Sequence, residues 1–83
     1  LVNRMVPADA LGETALALAG RVARNAPIAL RESLRLARAA DGAGEEALWQ
    51  ANDAATMRVV TSADAREGPL AFIEKREPRW SGT

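Results

Sequence analysis

Ser62-Ala63-Asp64-Ala65-Arg66-Glu67-Gly68-Pro69-Leu70-Ala71-Phe72-Ile73-Glu74-Lys75-Arg76, then Glu77-Pro78-Arg79-Trp80-Ser81-Gly82-Thr83, are the last residues of an 83-residue sequence. Ser62 is of the type that caps helix N-termini, and Ala63 to Arg76 predicts a helical stretch behind it. Pro69 cannot donate to the helix ladder and crowds the preceding turn. A kink, or two short helices meeting at Gly68-Pro69, is the expectation. Pro78 to Thr83 predicts a non-helical tail carrying one large apolar anchor, Trp80.

Upstream, the pattern stays helical. Glu45 to about Val60 predicts a helix with Glu45 and Glu46 at its positive end and Leu48, Ala55 and Val59 along one face. Before it, Asp41-Gly42-Ala43-Gly44 is a stop signal, and Pro27 suits the first position of the helix that this signal ends. That helix carries Leu30, Leu34 and Ala37 as an apolar stripe, with Arg31, Arg35 and Arg38 beside it as a solvated face near Glu32 and Asp41. A first helix from about Asp9 to Arg24 follows from Leu11, Ala15, Leu18 and Val22, with Asp9 as its N-cap. Leu1 to Val6, ending at Pro7, suits a short strand or extended lead-in, and a strand there would need a sheet supplied from elsewhere. Trp49 suits a core or interface anchor. The fold class is all-α, with three to four helices and a short extended N-terminal lead-in.

Composition narrows the chemistry. The chain has no His and no Cys, which removes the imidazole base, the thiolate nucleophile, disulfides and zinc sites of the usual N/S type. Eleven Lys and Arg balance eleven Asp and Glu, so the basic excess of a nucleic-acid or membrane-surface binder is missing. No apolar run is long enough to span a bilayer. The opening lacks the layout of a signal peptide, and a cytoplasmic protein is expected. A chain near this size buries only about 60% of its unfolded surface, so the sequence suits a part of something larger.

The carboxylates Glu45/Glu46, Asp53, Asp64/Glu67 and Glu74/Glu77 carry no sign of the paired, unequal environments that acid–base catalysis needs. Ser62, Asp64 and Lys75 have no nucleophile signature, and Gly42-Ala43-Gly44 follows a helix and lacks a phosphate loop's Lys-Ser/Thr. No catalytic and no metal-binding residue is assigned. Phe72 and Lys75 stand three apart on the last helix and so share a face. An aromatic plane beside an ammonium group suits a purine ring and a phosphate.

The stretch Ser62 to Arg76 with Pro78-Arg79-Trp80-Ser81-Gly82 closely resembles the C-terminal signature of the crotonase superfamily, the enoyl-CoA hydratases and isomerases. Leu1-Val2-Asn3-Arg4-Met5-Val6-Pro7 is similar to the segment by which that family's chain leaves its core, and Asn25-Ala26-Pro27-Ile28-Ala29-Leu30 to its next helix start. The resemblance covers residues 1–83 in order. It implies the C-terminal helical, oligomerisation and CoA-covering domain of a crotonase-like protein, without the N-terminal spiral domain. In the family that missing domain supplies the two backbone N–H groups that hold the thioester oxygen, and the carboxylates that move protons.

By the same resemblance, Phe72 and Lys75 match the family's Phe-x-x-Lys positions at the adenine and phosphate end of CoA. The implied function is that of an enoyl-CoA hydratase/isomerase-like lyase acting on acyl-CoA thioesters, with CoA as part of the substrate and no resident cofactor. A homo-oligomer, a trimer or dimer of trimers, is implied, with neither nucleic acid nor membrane as partner. The 83 residues alone are expected to be inactive. The alternative is a freestanding helical interaction module that ignores CoA.

Overall fold

The computed structural model describes residues 2–83, and among them there is no strand. A short 3₁₀ turn, Ala8–Ala10, leads into four helices: α1 (Leu11–Ala23), α2 (Pro27–Ala39), α3 (Glu45–Val60) and α4 (Asp64–Glu74). The all-α reading holds. The lead-in is irregular from Val2 to Pro7, with Val2 and Met5 exposed, and it pairs with no sheet. Leu1 of that predicted segment lies outside the described residues.

The helix starts and stops follow local chemistry, with two corrections. Asp9 does not cap α1. It falls inside the 3₁₀ turn, so the α-helix begins two residues later behind Ala10. Pro27 occupies the first turn of α2, where its missing N–H costs nothing. Gly42 takes φ +98 after α2, a conformation a side chain resists, and Gly44 precedes Glu45 at the start of α3. The second correction concerns α4, which runs through Pro69 as one helix rather than two. Pro69 lies in its second turn, so the ladder bond it removes would have come early in the helix.

The molecule is open. Its radius of gyration is 16.0 Å, against roughly 12 Å for a compact chain of this length, and it measures 42 × 41 × 17 Å. The accessible surface is 6902 Å², where a compact globule of this mass would leave roughly 4,800 Å². Among the described residues only Ala55 and Ala71 are buried and apolar. The α1 stripe, Leu11, Leu18 and Val22, and Leu34 of α2 are all exposed, as is Trp49, whose indole donates only to Glu45 Oε1 at 3.4 Å. Val22, Leu30, Leu34 and Ala37 instead line an open apolar cleft of about 640 Å³ between α1 and α2.

The strongest packing is α2 on α3, and it is fastened by charge. Both carboxylate oxygens of Glu32 accept from Arg58, at 2.9 and 2.8 Å, and Arg35 donates to the same carboxylate at 3.0 Å. The Arg58 guanidinium holds the Glu32 carboxyl down at about 2, partial burial opposes this, and Arg35 adds to it. The α2 face expected to be solvated thus meets α3 in part, because Glu32 needs a partner there and the α3 backbone accepts from Arg35 at Ala51, 3.5 Å away.

Candidate functional site

The final helix and tail form the most densely hydrogen-bonded constellation of polar groups, and it begins with Ser62. Its hydroxyl donates to the Val59 carbonyl at 2.6 Å, at the end of α3, and accepts from the Ala65 N–H at 3.2 Å, in the first turn of α4. One side chain so serves two helix ends, which is the capping role its residue type suggested.

Asp64 follows, 3% exposed although charged. Its oxygens accept from the Ser81 N–H at 2.7 Å, the Ser81 hydroxyl at 3.0 Å and the Gly82 N–H at 3.0 Å. Burial pushes the Asp64 carboxyl up, but those donors outweigh it and leave it below its ordinary range. Glu67, one turn on, accepts from Arg76 through both oxygens and from the Arg79 N–H at 2.6 Å. The Arg76 guanidinium, then the Arg79 amide, hold it at about 2. Neither carboxylate is an acid–base candidate, since each is committed to holding the chain that follows.

The tail they hold is a strap across three helices. Trp80 donates its indole N–H to the Arg24 carbonyl at 2.7 Å, which satisfies an end group of α1 alongside the side-chain amide of Asn25. Its ring lies over Gly68, where a Cβ would come within 3.4 Å of it. The Gly82 carbonyl accepts from Arg31 of α2 at 3.4 Å, and the Ala63 N–H donates to the Thr83 carbonyl at 2.7 Å. The predicted apolar anchor is therefore also a hydrogen-bonding one. Sequence reasoning missed Asp64 and Glu67 as its holders. Their donors lie 9 to 18 positions away, and the only available signal was two carboxylates one turn apart before a Ser-Gly tail.

Phe72 and Lys75 sit at the other end of α4. Ala71 is buried, so Phe72 and Ile73, rotated away from it, point to solvent at 84% and 75% exposure. α4 ends at Glu74, and Lys75 takes φ 52, ψ 42, the left-handed conformation. The two therefore do not share one helical face as their spacing suggested, because Lys75 has left the helix. Its N–H donates to the Phe72 carbonyl at 3.2 Å and that of Arg76 to the Ala71 carbonyl at 3.0 Å, the bond pair of a Schellman cap. Glycine usually fills that position, and a side chain there costs about 1 kcal/mol. Both residues are exposed, and neither side chain makes a bond among the described hydrogen bonds. No described group of three or more carboxylates could hold a metal ion.

Four helices closed by this strapped tail, with no strand among the described residues, form the helical C-terminal part of a crotonase fold. Solved structures share it. An enoyl-CoA hydratase from Mycobacterium tuberculosis H37Rv superposes with a TM-score of 0.88 at 33% identity, over 99% of this chain and 32% of that one. An enoyl-CoA hydratase from Bacillus anthracis does so at 0.86 and 32%, over 94% and 30%. Among curated relatives, the carnitinyl-CoA dehydratase of Proteus mirabilis is 37% identical over 86 residues, spanning 99% of this chain and 33% of its own length. The sequence matches the family Enoyl-CoA hydratase/isomerase over residues 1–83, and the chain belongs to that family. It spans about a third of the length of the curated relatives it matches, at their C-terminal end.

Proposed function

We propose that this chain is the CoA-facing and assembly-forming part of an acyl-CoA enzyme that adds or removes water, or shifts a double bond, next to a thioester. The observation that carries the proposal is the exposed pair Phe72 and Lys75 at the end of α4, in a family of enzymes named for acyl-CoA substrates. The Phe72 ring offers a face to adenine and the Lys75 ammonium a charge to phosphate. Such an exposed contact adds about 1 kcal/mol and weakens with salt. CoA enters as part of the substrate rather than as a resident cofactor. Polarising the thioester and moving protons fall to groups outside these 83 residues, so the chain by itself is catalytically silent.

The roughly 2,000 Å² of surface beyond that of a compact globule supports an assembled state, a trimer or dimer of trimers, that covers the apolar faces of α1 to α3. A cytoplasmic setting, with which a cysteine-free chain is compatible, completes the reading. Native mass spectrometry with and without CoA tests ligand retention and assembly together. A defined multimer retaining CoA, with affinity falling about fivefold in Lys75→Ala or Phe72→Ala, is the expected result. A chain that assembles through its apolar faces yet ignores CoA would establish the interaction-module alternative instead.

A further inference from the structure

We infer that Glu67 is a positioning residue for Lys75, acting through Arg76 to hold the turn that aims the lysine. The inference rests on the reading of Lys75 as a phosphate contact and adds what fixes it in place. A left-handed residue with a Cβ persists only where its surroundings over-determine it, and here the restraints can be named.

Arg76, immediately after Lys75, is gripped by both oxygens of Glu67 and by Glu74, and its Nη1 donates to the Glu77 carbonyl at 3.1 Å. The same Glu67 carboxylate accepts the Arg79 N–H at 2.6 Å. One carboxylate on the first turn of α4 therefore tethers the chain at two points just beyond Lys75. On the near side, the Lys75 and Arg76 N–H groups bond the Phe72 and Ala71 carbonyls, and Ala71 is buried. Lys75 is the link between a fixed helix and a fixed strap. Its backbone is set before any ligand arrives, which spares the cost of ordering it on binding.

The planar, two-pronged fit of Arg76 on Glu67 is what the mechanism requires, since a point charge would neutralise Glu67 without fixing direction. Glu67→Gln removes the charge and one prong while keeping the shape. Two measurements read it. NMR of Lys75, through its Cα shift and HN–Hα coupling, reports the sign of φ. Calorimetry compares CoA with pantetheine, which lacks the nucleotide. In Glu67→Gln the left-handed signature is expected to average away, CoA to bind about threefold more weakly, and pantetheine to bind unchanged. In that background Lys75→Ala should then add little, because an unaimed lysine has little left to lose.

A left-handed Lys75 in Glu67→Gln, or equal weakening of CoA and pantetheine, overturns the inference. Full CoA affinity in Lys75→Ala overturns the underlying reading instead, while the NMR signal still decides whether Glu67 holds the turn. Should Glu67→Gln not fold, Arg76→Lys carries the same test, keeping the charge and losing the fork.

Discussion

The corner where the tail crosses α4 and the broad faces of α1 to α3 are built from similar material and reach opposite ends. At the corner, Ser62 and Trp80 satisfy backbone groups of three helix termini, Asp64 and Glu67 accept the amides of the tail, and burial reaches 3% exposure at Asp64. On the faces, Leu16, Met57 and Trp49 stay 60% exposed or more. Polar side chains with fixed geometry can finish a local structure within one chain. Apolar stripes only state that something must cover them.

The strap depends most on Trp80. Trp80→Ala removes the ring over Gly68 and the bond to the Arg24 carbonyl, and about 2 kcal/mol of stability should go with it in thermal unfolding followed by circular dichroism. Leu16→Ala, on the open face, should change the same midpoint by no more than about 0.5 kcal/mol. A reversal of that order would mean the open face carries the fold.

Asp64→Asn comes next. It leaves an amide facing N–H donors that want an anion, so the Ser81 and Gly82 amides should exchange with solvent roughly tenfold faster. The α2–α3 amides should keep their protection, because the Glu32–Arg58 pair does not touch the strap.

Acid acts on both regions through their carboxylates. Glu32 and Glu67 each fall from 4.5 to about 2 in the folded chain, so the unfolded chain binds protons first as pH drops. Their stabilisation is complete above pH 4.5 and is lost as pH falls toward 2. An acid titration following the Trp80 indole N–H and the α3 amides should show strap and helix pair loosening in that window. No loss across it would mean that the two ion pairs contribute nothing. The smallest effect belongs to Gly68→Ala, where the gain of about 1 kcal/mol in helix propensity is offset by the resistance of a side-chain-bearing residue before Pro69 to the helical conformation, while the new Cβ, 3.4 Å from Trp80, makes an ordinary contact, for a net change within about 0.5 kcal/mol by the same unfolding assay.

Much of the corner was legible residue by residue, and little of it as a unit. Ser62 as a cap, Trp80 as an anchor and Pro27 at a helix start each follow from the local preferences of one residue type. Asp64 and Glu67 carried no sign of their environment in the sequence, since the donors they accept from lie far along the chain. Lys75 looked like a helical neighbour of Phe72. That spacing holds only while the backbone stays right-handed, and the Glu67–Arg76 fork lies beside the residue that turns it.

Three to four helices, the bounds of α3, the all-α class and the family are legible without coordinates, because helix periodicity, caps and a long run of matching residues are properties of neighbours along the chain. Only the tertiary structure decided that α4 continues through Pro69, that Asp64 is buried under the tail, that Lys75 turns left-handed, and that the apolar stripes face outward. Each of those depends on groups distant in sequence meeting with a definite distance and direction, which no local preference can specify.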